Sequence, residues 1–118
     1  MFRFEKFDVW QQAIEFADLI YARTAAFPRE EQYGLTSQMR LAAVSISSNI
    51  AEGTNRSSDK DFLRFVEIAY GSLMEVVSQS QVAKRQELLS DGDHQAVYNL
   101  AEALARMLSA LRQKLLGS

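Results

Sequence analysis

The polar residues that could do chemistry are concentrated between residues 38 and 56. Ser45, Ser48, Asn49 and Glu52 follow the spacing i, i+3, i+4 and i+7. If this stretch is helical, the four side chains lie on one face, where hydroxyl, amide and carboxylate groups can exchange hydrogen bonds. A plain core helix would not carry such a series beside its apolar stripe.

A second polar set lies further along the chain, where Ser72 and Glu75 are also three positions apart. Two interpretations remain open: paired, structural groups at a helix crossing, or a seam for self-association or partner binding. A general base at Glu52 or Glu75 would need a second positioned group, and the sequence offers none. The candidate seam or interface residues are Arg40, Ser45, Asn49, Glu52, Ser72 and Glu75.

The sequence contains no motif for binding a metal or a cofactor and none for a catalytic nucleophile. Helix bundles bind paired iron through Glu-x-x-His motifs, but the single histidine, His94, follows Asp91 at that spacing. The chain has no cysteine, which removes thiolate ligands and a cysteine nucleophile. Its glycines form no phosphate-binding pattern. We therefore predict no catalytic site, no cofactor and no metal, and hence not an enzyme.

The charge balance gives little sign of nucleic-acid binding. Lys and Arg number 13 against 15 Asp and Glu, a net charge of −2, whereas dedicated nucleic-acid binders are usually basic. Asp59 and Asp61 interleave with the basic cluster at residues 56–64, although oligomer symmetry could still build a basic patch. The weak candidate nucleic-acid contacts are Arg40, Arg56, Lys60 and Arg64.

Composition indicates one helical domain over residues 1–118. The chain is 47% hydrophobic and 24% charged, with a single proline, so helix breakers are scarce. No apolar run approaches the roughly 20 residues that span a membrane. The mixed aromatic and charged N-terminus does not resemble a secretory signal. We expect a cytoplasmic protein with no membrane contact.

The first half of the chain predicts two helices. Apolar residues recur every three or four positions over 10–24, and a capping-box pattern at 8–11 predicts a helix start near Val9. Pro28 disfavours helical geometry at Phe27, so the helix should stop there.

The second helix has its apolar stripe over 35–50. Thr36 or Ser37 can cap its start, and Gly53 can supply the left-handed residue that ends it.

The third helix has its stripe over 62–83, begins at a cap from Ser57 or Ser58, and should run to about Leu88. Gly71 lies inside it, and we expect a neighbouring helix to approach closely there.

Residues 89–93 read as a turn, and residues 97–115 form the fourth helix. Four amphipathic helices joined by short connections predict an all-α, antiparallel up-down-up-down four-helix bundle.

Three segments resemble the four-helix-bundle proteins called 23S rRNA-intervening-sequence proteins. The first two are S-Q-M-R-L-A-A-V-S-I-S-S-N-I-A-E-G-T-N-R at 37–56 and F-L-R-F-V-E-I-A-Y-G-S-L-M-E-V at 62–76. The elements N-I-A-E-G and A-x-G-S-L-x-E at this separation make the match specific, and F-P-x-E-E-x-Y-G-L at 27–35 also fits. The resemblance covers nearly the whole chain.

The resemblance implies a bundle that assembles into a ring, typically a homopentamer, with no enzymatic role. A related branch comprises accessory proteins of reverse transcriptases in diversity-generating retroelements, which bind nucleic acid through a basic surface. Leu41 stands where many members carry a second arginine, which counts against RNA binding here. The positions matching the family signature are Arg40, Ser45, Asn49, Ile50, Glu52, Gly53, Arg56, Gly71, Ser72 and Glu75.

Two functional hypotheses follow from these residues and from the resemblance. The first is a ring-forming interaction scaffold whose surface holds a protein partner. The alternative is an RNA-binding protein acting on ribosomal RNA or a structured transcript, whose affinity would fall steeply with salt as phosphate contacts release counterions.

Overall fold

Four α-helices make up most of the protein, and a computed structural model describes residues 1–117. The helices are α1 (Asp8–Thr24), α2 (Leu35–Thr54), α3 (Asp59–Arg85) and α4 (Asp91–Leu116), with short 3-10 turns at Arg3–Lys6 and Arg29–Glu31. No strand occurs over residues 1–117. The all-α prediction is confirmed.

Successive helices run antiparallel and form an elongated bundle of 45 × 22 × 21 Å. Side chains near the end of α1 meet the start of α4, where Nε of Arg23 lies 3.2 Å from Oδ1 of Asp93. Likewise, Arg112 late in α4 lies beside Glu67 early in α3. The up-down-up-down topology is therefore confirmed.

The predicted apolar stripes form the core. Each helix contributes side chains with less than 2% of their surface exposed, and Ile50 of α2 is fully buried. Burying such a side chain contributes about 1.5–3 kcal/mol. The largest fully buried apolar residues are Phe16, Ile20, Met39, Ile46, Ile50, Leu73, Leu104 and Leu108.

Serine caps begin the two long helices. The hydroxyl of Ser58 accepts a hydrogen bond from the Asp61 N–H at 3.2 Å, which confirms one of the two predicted caps of α3. Ser90 does the same for Asp93 at 3.0 Å. Because of this second cap, α4 begins inside the stretch predicted as a turn. α3 ends at Arg85, before the predicted end at Leu88.

The predicted ends of the first two helices need correction. α1 begins at Asp8 without the predicted capping box, because the side chain of Gln11 donates to the backbone carbonyl of Glu5 instead, at 3.0 Å. It ends at Thr24, before Phe27. α2 starts after Gly34 without a side-chain cap, so the predicted caps at Thr36 and Ser37 are wrong.

The roles predicted for two glycines are reversed. Gly53 lies within α2 with a negative φ, so it supplies no left-handed residue. Instead it permits close helix packing, since a Cβ there would lie 2.8 Å from Cδ1 of Phe62. Gly71, where close approach was predicted, faces open space: a Cβ there would meet no heavy atom of the described residues within 4 Å.

Candidate interaction surface

The polar residues of α2 and α3 meet at one point on the outside of the bundle. The hydroxyls of Ser45 and Ser72 lie 2.9 Å apart. The side-chain amide of Asn49 donates to the carbonyl of Ser45 at 2.8 Å and to its hydroxyl at 3.0 Å. All three residues are half-buried. Their polar groups are therefore paired, as buried polar groups usually are, and they link the two helices.

The two carboxylates predicted for the same seam lie at its solvent side. Glu52 is exposed, and its carboxylate makes no hydrogen bond or ion pair within the part of the chain that the structure describes. Glu75 is also exposed and accepts only a 3.3 Å hydrogen bond from the side chain of Gln79 on its own helix. The seam thus has a structural interior and two solvent-exposed acidic groups on its rim.

Exposed apolar side chains surround this polar link, and the sequence interpretation did not include them. Leu41 lies one turn before Ser45 and is 71% exposed, while Ile68 lies one turn before Ser72 and is 49% exposed. Val44 is 39% exposed on the same side of α2. The sequence could have indicated this exposure, because these apolar residues lie outside the apolar stripes of their helices. We call the patch of Leu41, Val44, Ser48 and Ile68 around Ser45 and Ser72 the α2–α3 face.

Arg40 lies apart from this face, on the side of α2 that packs against α1. Its Nε donates to the hydroxyl of Thr24 at 2.9 Å, and an Nη donates to the carbonyl of Tyr21 at 3.3 Å. The guanidinium carbon also lies 4.6 Å from the centre of the Tyr21 ring. Arg40 therefore joins the C-terminal end of α1 to α2.

The other three basic candidates lie where α2 connects to α3, and we call this cluster of Arg56, Lys60 and Arg64 the basic junction. Arg56, Lys60 and Arg64 are exposed, and no ion pair involves them within residues 1–117. The guanidinium of Arg56 stacks over the Phe65 ring at 4.5 Å, which holds its position while leaving its donors available. Of the four predicted basic contacts, the structure thus brings three to one end of the bundle.

Within residues 1–117, the structure shows neither a cluster suited to a metal ion nor a helix suited to spanning a membrane. Among residues 1–117, no group of three or more His, Asp or Glu side chains could hold a metal ion. His94 lies beside the Tyr98 ring, with ring centres 6.3 Å apart. None of the described helices has both the length and the apolar character needed to cross a bilayer.

Comparison with known proteins decides the family. The model of the 23S rRNA-intervening sequence protein family matches residues 5–110. The chain belongs to this family. A similar fold occurs in a protein of unknown function from the S23 ribosomal protein family of Bacteroides thetaiotaomicron, known from a crystal structure. It shares 20% sequence identity at a TM-score of 0.79, over 88% of this chain and 97% of that one. No curated protein matches the chain.

The family match contains every residue of the α2–α3 face and of the basic junction, since all lie within residues 5–110. At 20% identity, the Bacteroides structure supports the bundle fold. Membership in the 23S rRNA-intervening sequence protein family is confirmed, as the resemblance predicted.

Proposed function

We propose that this protein is a non-enzymatic, cytoplasmic interaction scaffold that assembles with copies of itself through the α2–α3 face. The proposal rests on the exposure of Leu41, Val44 and Ile68 around the Ser45–Ser72 link. Because α2 and α3 are antiparallel, Leu41 and Ile68 lie on opposite sides of this link, and exposed apolar residues gathered on one surface mark interaction sites in soluble proteins. The resemblance supports a ring, with a homopentamer as the proposed size, whose outer surface holds a protein partner.

The composition of the face suits a contact between folded subunits. Burying a side chain as exposed as Leu41 gains about 1.5–3 kcal/mol, and a ring repeats that gain at each subunit contact. The Ser45–Ser72 link holds α2 and α3 in fixed register, which limits the ordering cost of association. Glu52 and Glu75 would contribute polar groups at the rim of the contact.

Sedimentation velocity on the full chain at micromolar concentration tests this proposal. We expect one species that contains several copies. Leu41→Glu should dissociate it into folded monomers, because the charge would have to be buried in the contact. Leu116→Glu is the matched control, since Leu116 is 52% exposed at the end of α4, away from the face. A monomeric native protein would contradict the proposal.

RNA binding is the second candidate, and the basic junction favours it. Arg56, Lys60 and Arg64 are exposed cations without ion-pair partners among the described residues, and stacked Phe65 adds an aromatic ring of the kind that accompanies nucleic-acid sites. The family name itself refers to ribosomal RNA. In a ring, the junction would be repeated by symmetry, which concentrates its charge.

Binding to ribosomal RNA fragments, measured by fluorescence anisotropy at low and near-physiological salt, separates the two candidates. If RNA is bound, affinity should fall with salt, and Lys60→Gln or Arg64→Gln should each lower the salt slope by about one. Arg29→Gln provides a control on the connection between α1 and α2. An intact ring that binds no RNA at low salt leaves the scaffold as the function.

A further inference from the structure

A cleft opens between α3 and α4, on the side of α3 that faces α4. It has a volume of about 400 Å³ and is lined by Glu67, Tyr70, Gly71, Ser109 and Arg112. Sites for small organic ligands commonly have volumes of about 300–1,000 Å³. The cleft is therefore large enough for a small molecule and separate from the α2–α3 face.

Gly71 explains why the cleft is open. A glycine inside a helix costs about 1 kcal/mol relative to alanine, and at Gly71 no neighbouring helix requires it, since a Cβ would contact no described heavy atom within 4 Å. A larger side chain at this position would instead project into the cleft that Gly71 lines. Gly71 therefore leaves the α3 edge of the cleft without a side chain.

The polar groups of the cleft have unused hydrogen-bonding capacity. The hydroxyls of Tyr70 and Ser109 make no hydrogen bond to the rest of residues 1–117. Nε of Arg112 lies 3.8 Å from Oε1 of Glu67, and both side chains are about half exposed. Such a long, solvated ion pair is weak. The guanidinium can therefore bind a carboxylate through two parallel hydrogen bonds, beside two hydroxyl groups.

The groove becomes apolar one helical turn further along. Met74 follows Gly71 by three positions on α3, and Ala105 precedes Ser109 by four positions on α4. Around them lies a second cavity of about 190 Å³, whose lining residues are mostly apolar: Met74, Val77, Tyr98, Ala101, Glu102 and Ala105. A polar end with Arg112, Glu67 and two hydroxyl groups thus lies about one helical turn from an apolar cavity.

From this juxtaposition we propose that the α3–α4 groove binds a small amphipathic carboxylate. The carboxylate lies against Arg112, with Tyr70 and Ser109 within reach as donors, and the apolar tail extends past Met74 towards Val77. Val77 follows Gly71 by six positions, which corresponds to a distance of about 9 Å along the helix axis. That length suits a short acyl chain or a single aromatic ring with its linker. This site is independent of self-association and of RNA binding.

Methionine methyl NMR on the full chain tests the site with octanoate as the probe. With ¹³C-labelled methionine methyls, the Met74 signal should shift in a saturable way, because Met74 lines the apolar cavity. Met39 is 1% exposed in the core, so its signal is an internal reference that should not move. Octan-1-ol, which lacks the carboxylate, should shift Met74 far less than octanoate does at equal concentration.

Matched variants locate the two ends of the ligand. Arg112→Gln should weaken octanoate binding about tenfold, the usual scale for losing a charge-assisted pair. Glu67→Gln should bind octanoate at least as tightly as the native chain, because a competing carboxylate is removed. Gly71→Leu should abolish the shift by filling the cleft, and Arg106→Gln, an exposed arginine outside the lining, should bind within about twofold of native.

Circular dichroism melts of each variant establish that the bundle is folded before the titrations are compared. Three results would each overturn the proposal: a Met74 signal that does not respond to octanoate, equal responses to octanoate and octan-1-ol, or Arg112→Gln and Arg106→Gln variants that bind alike. Weaker binding by Glu67→Gln would contradict the placement of the carboxylate.

Discussion

Gly53 on α2 and Phe62 on α3 stand so close that a Cβ on Gly53 would lie 2.8 Å from Cδ1 of the Phe62 ring. It would also lie 3.0 Å from the Cβ of Phe65. The Phe62 ring cannot shift easily, because it is 3% exposed within the core. The Cβ of Phe65 can move only together with its backbone. The absence of a side chain at Gly53 therefore sets how closely α2 and α3 pack beside their connection.

The first prediction compares two glycine-to-alanine substitutions. Gly53→Ala should lower the free energy of unfolding by about 1–3 kcal/mol, because overpacking outweighs the better helix propensity of alanine. Gly71→Ala is the matched control and should raise it by up to about 1 kcal/mol, since the new methyl meets no neighbour. Urea denaturation of both variants measures the difference. Equal effects would contradict the packing role of Gly53.

A double-mutant cycle measures the link between Ser45 and Ser72. Each serine-to-alanine substitution should cost about 0.5–1.5 kcal/mol of stability, because a half-buried hydroxyl loses its partner. The double variant should cost less than the sum by about 0.5 kcal/mol or more. Ser48→Ala, at an exposed position on the same helix, should stay within about 0.5 kcal/mol of native. Strictly additive losses would mean that the two hydroxyls do not interact.

Two substitutions near the end of α2 compare a core position with a surface position. Ile50→Ala should cost about 2–5 kcal/mol, because Ile50 is fully buried. Glu52→Gln should change the free energy of unfolding by less than about 0.5 kcal/mol, since Glu52 is exposed and has no partner among the described residues. Urea denaturation gives both values. If Glu52→Gln unfolds the protein or disperses its oligomer, Glu52 has a structural role that the monomer does not reveal.

Helical periodicity was sufficient to predict the bundle, because four amphipathic stripes with short connections have few other ways to bury their apolar faces. A contact between Ser45 and Ser72 could also be expected from the sequence, since each serine lies next to the apolar stripe of its helix. Helix ends were less predictable. Thr36 and Ser37 are suitable caps by residue type, yet α2 begins earlier, at Leu35, after an uncapped Gly34.

Residue type alone could not distinguish the two glycines or the arginines. The close contact at Gly53 depends on where Phe62 of the next helix lies, and the open space at Gly71 depends on the spacing of α3 and α4. Arg40 and Arg64 are equally basic in sequence. Only the fold places Arg40 against Thr24 and Tyr21 while Arg64 stays in solvent.

The contacts of Arg40 yield the last prediction. Its guanidinium combines a 2.9 Å hydrogen bond to Thr24 with stacking at 4.6 Å over the Tyr21 ring, and lysine can reproduce the charge but not this planar geometry. Arg40→Lys should therefore lower the free energy of unfolding by about 1–2 kcal/mol. Arg29→Lys, at an exposed position outside the bundle helices, should have an effect below about 0.5 kcal/mol.

The same variant separates a structural role for the Arg40 guanidinium from specific recognition of RNA by that planar group. Lysine keeps the positive charge, so a phosphate contact would survive the substitution largely intact. Loss of stability with unchanged RNA affinity, measured at a temperature where the variant is fully folded, is the expected pattern. An unchanged urea midpoint together with weakened RNA binding would show instead that the guanidinium recognises RNA and that its contacts with α1 are dispensable.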